Sequence, residues 1–304
     1  MEDRFKGCLL GLACGDAVGT SVEFKPRGTF APVSDMSGGG PFSLQAGEWT
    51  DDTSMALCLA ESLLERRGFD PRDQMERYCR WQSEGYLSSN GVCFDIGNTV
   101  AAALQRYRLN GEPLNGSTAP YSAGNGSIMR LAPIPMYYVQ DLARVERYAA
   151  SSSRTTHGAQ EAVDACRLFG IMLALALQGA PREVILFESH QRLPSTEPLA
   201  PSIAGIASGN YQDKVEEEIR GNGYVVNSLE AALWCFLHTA SYREAVLRAV
   251  NLGEDADTTG AVCGQLAGAY YGLAGIPPAW LAKLALRAYI ERTATRLYQE
   301  RESA

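Results

Sequence analysis

Apolar residues return every three or four positions along almost the whole chain, and scarcely anywhere at every second position. Phe5, Cys8, Leu9, Leu12 and Ala13 follow the i, i+3, i+4, i+7, i+8 pattern, and Ala159, Ala162, Val163, Cys166, Gly170 and Leu173 follow it too. That period lays one apolar stripe along an α-helix and does not suit a strand. The same spacing predicts helices over 53–67, 71–84, 96–108, 141–151, 181–191, 227–239, 241–250, 258–273 and 278–299. The best strand candidate, YVV at 224–226, is too short to count. The expected fold class is all-α. Glycine and proline mark loops at 34–42, 109–127 and 192–202, yet none reads as an interdomain linker and no fixed-period repeat occurs. The 304 residues therefore read as one compact domain over 1–304, close to the ~250–300 residues at which single cores stop growing.

Charge narrows the function. A net charge of -8 lacks the basic footprint that general nucleic-acid binding needs. The apolar run IMLALALQGA is too short to span a bilayer, and charged residues crowd the N-terminus where a signal peptide would carry its apolar segment. The expectation is no membrane partner and a cytoplasmic location. The eight cysteines form no CxxC pair and sit mostly in apolar helical stretches, as small core residues of a reduced protein do.

Two acidic clusters stand out. GEWTDDTSM (47–55) and GEDADTTGA (253–261) lie some 200 residues apart, each at the head of an apolar helical run. Helix capping accounts for one Asp or Thr at such a place. It leaves unexplained why each start carries two carboxylates together with threonines, since neighbouring like charges repel unless a cation sits between them. Were the fold to bring both starts together, four carboxylates and two hydroxyls would form an all-oxygen ligand set. Such a set selects Mg²⁺ or Mn²⁺ over Zn²⁺, and the number of ligands suits two ions better than one. By spacing alone, capping and metal binding both remain open.

Seven segments, in order, resemble the ADP-ribosylglycohydrolase family, which includes the dinitrogenase-reductase-activating glycohydrolases. They are GCLLGLACGDAVGTSVEF (7–24), GEWTDDTSMAL (47–57), FDIGNTV (94–100), GNGSIMRLAPI (124–134), TTHGAQEAVDACRLFG (155–170), GYVVNSLEAALW (223–234) and GEDADTTGAVCGQLAGAYYG (253–272). The resemblance implies an all-α fold with a dinuclear Mg²⁺ or Mn²⁺ site in a cleft. Its metal ligands fall on Thr50, Asp51, Asp52, Asp255, Asp257 and Thr258, with Asp52 and Asp257 essential for catalysis. The implied reaction is hydrolysis of an N-glycosidic bond, with an ADP-ribosylated protein as substrate and ADP-ribose as product. Arginine is the favoured linkage. Serine, O-acetyl-ADP-ribose or nucleic-acid linkages, a non-catalytic ADP-ribose binder and a two-metal phosphohydrolase are the alternatives.

The resemblance also suggests individual roles. Glu23 is a carboxylate near the metals and the substrate. Asp95 faces the leaving group, where it suits a guanidinium; capping the following helix is its alternative role. Asn125, Gly126, Ser127 and Met129 belong to a cradle for the diphosphate or ribose, His157 lies near the diphosphate or proximal ribose, and Tyr224 lines the nucleotide cleft or packs in the core. Glu254 and Asn227 depart from the residues relatives often carry at those places, and the loop 192–222 resembles nothing in the family pattern.

Overall fold

A computed structural model describes residues 1–301. Its α-helices are α1 (Glu2–Gly19), α2 (Asp51–Arg66), α3 (Pro71–Glu84), α4 (Asn98–Asn110), α5 (Pro133–Tyr137), α6 (Leu142–Arg154), α7 (Gln160–Gln178), α8 (Pro201–Ala207), α9 (Val225–Leu237), α10 (Tyr242–Asn251), α11 (Ala256–Tyr271), α12 (Pro278–Lys283) and α13 (Arg287–Glu300). Among the described residues there is no strand, only three isolated bridges: Gly39 with Leu44, Ser117 with His157, and Gly124 with Tyr224. The all-α expectation holds. No helix among the described residues is long and apolar enough to cross a membrane.

The differences from the helical pattern have local causes. YVV is no strand: Tyr224 is the N-cap of α9 and the two valines open the helix. The expected helix at 181–191 is a π turn, Val184–Glu188, followed by a 3₁₀ turn, Ser189–Arg192. The expected C-terminal helix is split, because Leu286 adopts a left-handed φ of 49° between α12 and α13. The short helices α5 and α8 escape the periodicity reading. Each opens on a proline, Pro133 or Pro201, whose fixed φ suits the first helical position.

Three helices make the centre. α1 is buried on almost every side from Phe5 to Gly19, α11 from Ala256 to Ala269 and α7 from Ala162 to Leu177. One continuous apolar cluster joins them to the remaining helices. The most extensive pairing is α1 with α11, antiparallel and backbone to backbone. Glycines make it possible. A Cβ built on Gly7, Gly11 or Gly15 would lie 2.3, 2.4 and 2.1 Å from the carbonyl oxygens of Gly268, Gly264 and Gly260. In the reverse direction, a Cβ on Gly260, Gly264 or Gly268 would lie 2.5, 2.2 and 2.0 Å from the carbonyls of Gly15, Gly11 and Gly7. At the end of the row a Cβ on Gly19 would meet Asp257 Cα at 2.3 Å. The two helix backbones touch, and the contact delivers the C-terminal end of α1 to the acidic start of α11.

An added methyl group at these positions meets backbone, which cannot rotate away. Gly15→Ala or Gly264→Ala is expected to cost at least about 1–3 kcal/mol, the usual price of overpacking. At Gly97 a Cβ meets nothing within 4 Å, so Gly97→Ala, at a helix N-cap, costs about 1 kcal/mol or less. Urea unfolding of the three variants measures the difference. Equal loss at all three positions would refute the close-contact account.

Candidate metal centre and substrate cleft

The two acidic clusters do meet. Thr50 is the N-cap of α2 and Asp255 the N-cap of α11, yet neither side chain makes a capping hydrogen bond. Elsewhere in the chain Asp70, Asp141 and Ser241 cap their helices in the ordinary way, accepting from backbone N–H groups of the first turn. The acids of the two clusters are thus free of the role that would explain them individually. The start of α2 is held instead by Asp16, a fully buried carboxylate on α1. Asp16 Oδ1 accepts from Thr50 N at 2.9 Å and Thr50 Oγ1 at 3.0 Å, and Oδ2 from Thr53 N at 3.1 Å and Thr53 Oγ1 at 2.6 Å. The sequence reading missed Asp16. Its signal was a lone acid in the last turn of a helix whose residues are otherwise uncharged after Lys6.

Thr50 Oγ1 also lies 3.2 Å from Asp257 Oδ2 and 3.4 Å from Asp52 Oδ2, and Thr258 Oγ1 lies 3.4 Å from Asp52 Oδ2. Carboxylate oxygens of Glu23, Asp95 and Asp257 all fall within 4.8 Å of one another. Glu23 Oε2, Asp52 Oδ1 and Asp257 Oδ1 are buried with no hydrogen-bond partner. Burial, reinforced by the surrounding acids, pushes the carboxyls of Asp51, Asp52 and Asp257 well above the usual range. The same causes raise Asp95 to about 7 and Glu23 to about 10. Burial also raises Asp255, opposed by the Asn125 amide, which donates to its Oδ2 at 2.7 Å. A group of buried carboxylates with orphaned oxygens is satisfied either by protons or by a cation, and hard oxygen donors fit a hard divalent ion.

A cleft of about 750 Å³ opens over this cluster, within the range of small-molecule sites. Glu23, Asp51, Asp95, Asp255 and Thr258 reach its lining, together with Asn125, Gly126, Met129 and His157. Thr50, Asp52 and Asp257 are buried behind them. Two of the expected substrate residues lie elsewhere. Ser127 is buried beneath the loop, its Oγ accepting from Ser153 Oγ at 3.0 Å and Cys166 Sγ at 3.4 Å. Tyr224 stands outside the cleft lining, with Glu161 and Ser202 against its hydroxyl. Its neighbours Asn222 and Gly223, at the end of the unplaced loop, do line the cleft, as does Glu254. Asn227 Nδ2 donates to Asn222 Oδ1 at 3.2 Å.

Asp95 does not cap α4. It sits outside the helix, whose N-cap is Gly97, with a left-handed φ of 57°. Phe24 and Glu254 share that unfavourable conformation at 63° and 58° and are tied together, Phe24 N donating to Glu254 O at 2.6 Å. Three non-glycine residues held in left-handed backbone around one cleft concentrate strain where side chains must be aimed. Phe24, 63% exposed, meets Phe42 at a ring distance of 6.5 Å, and Phe42 meets Phe94 at 5.2 Å. An aromatic rim therefore stands beside Glu23 and Asp95. Residue spacing gave no hint of it, since its members come from two separate loops, Phe24 and Phe42 before α2 and Phe94 before α4.

Fold and site together define an all-helical protein with a carboxylate-lined cleft whose acids could hold a metal ion. The family model for ADP-ribosylglycohydrolase matches residues 1–304, and the chain belongs to that family. It is 46% identical over 296 residues to ADP-ribosylarginine hydrolase Tri1 of Pseudomonas putida (strain GB-1), covering 97% of this chain and 78% of that one. It is 33% identical over 296 residues to ADP-ribosyl-[dinitrogen reductase] glycohydrolase of Rhodospirillum rubrum, covering 94% and 92%. Among solved structures, a chain of an ADP-ribosylglycohydrolase-related protein complex superposes with a TM-score of 0.86 at 45% identity, over 99% of each chain.

The raised carboxyls give a pH dependence of definite sign. Their folded pKa values exceed the unfolded ones, so metal-free folded protein holds more protons than unfolded protein. The stabilisation is complete below about pH 4, where both states are protonated, and is lost as pH rises through the folded values, which are about 7 for Asp95 and about 10 for Glu23. Without metal, Tm is expected to fall between pH 5 and 8. Added Mg²⁺ or Mn²⁺ should restore it, most at the upper end. A metal-free Tm that climbs over this interval and ignores both ions would contradict the cation-binding cluster.

Proposed function

We propose that this chain removes ADP-ribose from modified arginine side chains of proteins, using two divalent ions, Mg²⁺ or Mn²⁺. The supporting observation is the convergence of two capless acidic helix starts beneath one cleft, in a chain 46% identical to a protein named ADP-ribosylarginine hydrolase. The ligands are Thr50, Asp51, Asp52, Asp255, Asp257 and Thr258. Two such ions, when bound, would hold hydroxyl-bearing substrate in place and polarise the oxygens they touch.

The protein side chains do the rest. Gly124 and Gly126 let the His157 ring lie against the loop, where a Cβ on Gly126 would meet it at 2.8 Å, and all three residues line the cleft. Asp95, held in place by its strained backbone, pairs with the guanidinium and keeps the C–N bond in line for attack. The methylenes of the arginine lie along Phe24, Phe42 and Phe94, as the stem of a snorkelling side chain does. Water adds to the anomeric carbon while the bond to guanidinium nitrogen breaks. Glu23, whose Oε2 has no partner in the protein, takes the proton of that water and passes it to the departing guanidine nitrogen, so that arginine leaves as a guanidinium paired with Asp95.

Incubation with arginine-, serine- and nucleic-acid-linked ADP-ribose, followed by mass analysis of products, tests the linkage. Intact ADP-ribose from the arginine substrate is expected; AMP would indicate a phosphohydrolase instead. Asp95→Asn is expected to lower kcat/KM for the arginine substrate about 10²-fold, the low end for a positioned acid–base group. Its affinity for free ADP-ribose should hardly change, because that ligand has no guanidinium. A parallel loss of ADP-ribose binding and of stability would make Asp95 a structural residue.

A further inference from the structure

Arg130 is completely buried, and among the described residues no carboxylate lies within ion-pairing distance of it. Its two terminal nitrogens are met by neutral groups, while Nε is buried without a partner. Nη1 donates to the Gly126 carbonyl at 2.6 Å, Nη2 donates to Thr156 Oγ1 at 2.6 Å, and the group lies over the Tyr78 ring at 4.9 Å. Gly126 and His157 line the cleft, so this one cation reaches both walls of the same corner, the second through Thr156.

The direction of these bonds decides the state of the imidazole. An arginine can only donate, so Thr156 Oγ1 accepts from it and retains one proton of its own. Thr156 is fully buried, and the remaining partner of its hydroxyl is His157 Nδ1, 2.8 Å away. If Nδ1 carried a proton, the two hydrogens would compete and the threonine hydroxyl hydrogen would be buried without an acceptor. A stranded polar hydrogen disfavours that arrangement roughly tenfold or more. Thr156 therefore donates, Nδ1 accepts, and the imidazole proton resides on Nε2. Burial and the nearby Arg130 charge also push the imidazole down to about 3, away from the doubly protonated form.

Nε2 has no hydrogen-bond partner among the described residues. It lies 3.4 Å from where a Cβ of Gly124 would stand and 3.1 Å from that of Gly126, on a residue that is 2% exposed and lines the cleft. We propose that Arg130 and Thr156 are positioning residues which lock His157 as a neutral Nε2–H donor, aimed between two glycines at an acceptor oxygen of the ADP-ribosyl group. The ligand half of this statement rests on the function proposed above; the lock does not. The same guanidinium, through its bond to the Gly126 carbonyl, keeps the glycine loop at the distance the imidazole requires.

The test reads the tautomer first. Protein labelled with ¹⁵N at its three histidines is examined by long-range ¹H–¹⁵N correlation at pH 7, with His157→Gln to assign the signal. The expected pattern is a protonated Nε2 and a bare Nδ1. A proton on Nδ1, or an imidazolium, overturns the lock without reference to any activity. Thr156→Val removes the hydroxyl at nearly constant shape and is expected to mix the two tautomers and weaken ADP-ribose binding about tenfold. Thr156→Ser keeps the hydroxyl and should restore both. Loss of affinity with no change of tautomer would make Thr156 a packing residue only, and an unchanged Thr156→Val would overturn the relay outright. Wild-type protein with the expected tautomer but no affinity for ADP-ribose would refute the ligand assignment and leave the lock intact.

Discussion

The backbone contact between α1 and α11 is the constraint on which everything else rests. Two helices cannot approach until carbonyl oxygens of one press against Cα atoms of the other unless every residue of the seam lacks a side chain. Here Gly7, Gly11 and Gly15 oppose Gly268, Gly264 and Gly260, and the row ends with Gly19 against Asp257. The seam sets the axial register as well as the distance. Asp16 lies one residue beyond Gly15 and reaches the start of α2, and Glu23, just past the end of α1, reaches the cleft. Three separate parts of the chain become one site because two helices are in contact.

The site so assembled is electrostatically unfavourable by itself. Asp51, Asp52 and Asp257 are buried, and burial and repulsion from neighbouring acids raise their carboxyls, while buried Asp16 is raised by burial against the hydrogen bonds it accepts from Thr50 and Thr53. What resists the repulsion is the apolar frame. α1, α7 and α11 are buried on most sides, and such packing contributes free energy in proportion to the apolar area removed from water. The helix N-termini favour negative charge by a smaller amount. Stability elsewhere thus supports a local concentration of carboxyls that either protons or a cation must relieve. The opposite corner of the cleft follows the same logic with reversed sign: buried Arg130 is stabilised by neutral oxygens and a ring face, and its charge is left to act on His157 and the glycine loop.

Much of this was legible in the chain. α3 runs over 71–84 as its periodicity predicts, and α2, α9 and α11 begin within two residues of their expected starts. Helices with a clear stripe are legible because the stripe is the physical cause of their burial. Elements whose course depends on a single backbone angle are not. Leu286 in a left-handed conformation divides the last helical run, and prolines open α5 and α8 without a stripe long enough to register. Of the site, the acids of both clusters were marked by residue type and spacing, while Glu23, Asp95, the glycine loop and His157 were marked by the family resemblance. Ser127 and Tyr224 were marked too, yet they face the core side and the outer surface. Neighbouring positions in a loop share a motif without sharing a direction.

By itself, then, the amino-acid sequence determined that this chain is helical, that two distant helix starts carry more acid than capping requires, and that their ligands are oxygen. Those are local properties, set by period and by residue chemistry. Only the tertiary structure decided between capping and a shared centre, because the question turns on whether residues some 200 positions apart come within a few ångströms. It also decided that Asp16, rather than Asp51 or Asp52, satisfies the start of α2, and that Arg130 reaches His157 through Thr156. Hydrogen-bond direction and close packing are relations between parts of the chain, and they exist only once the helices are in contact.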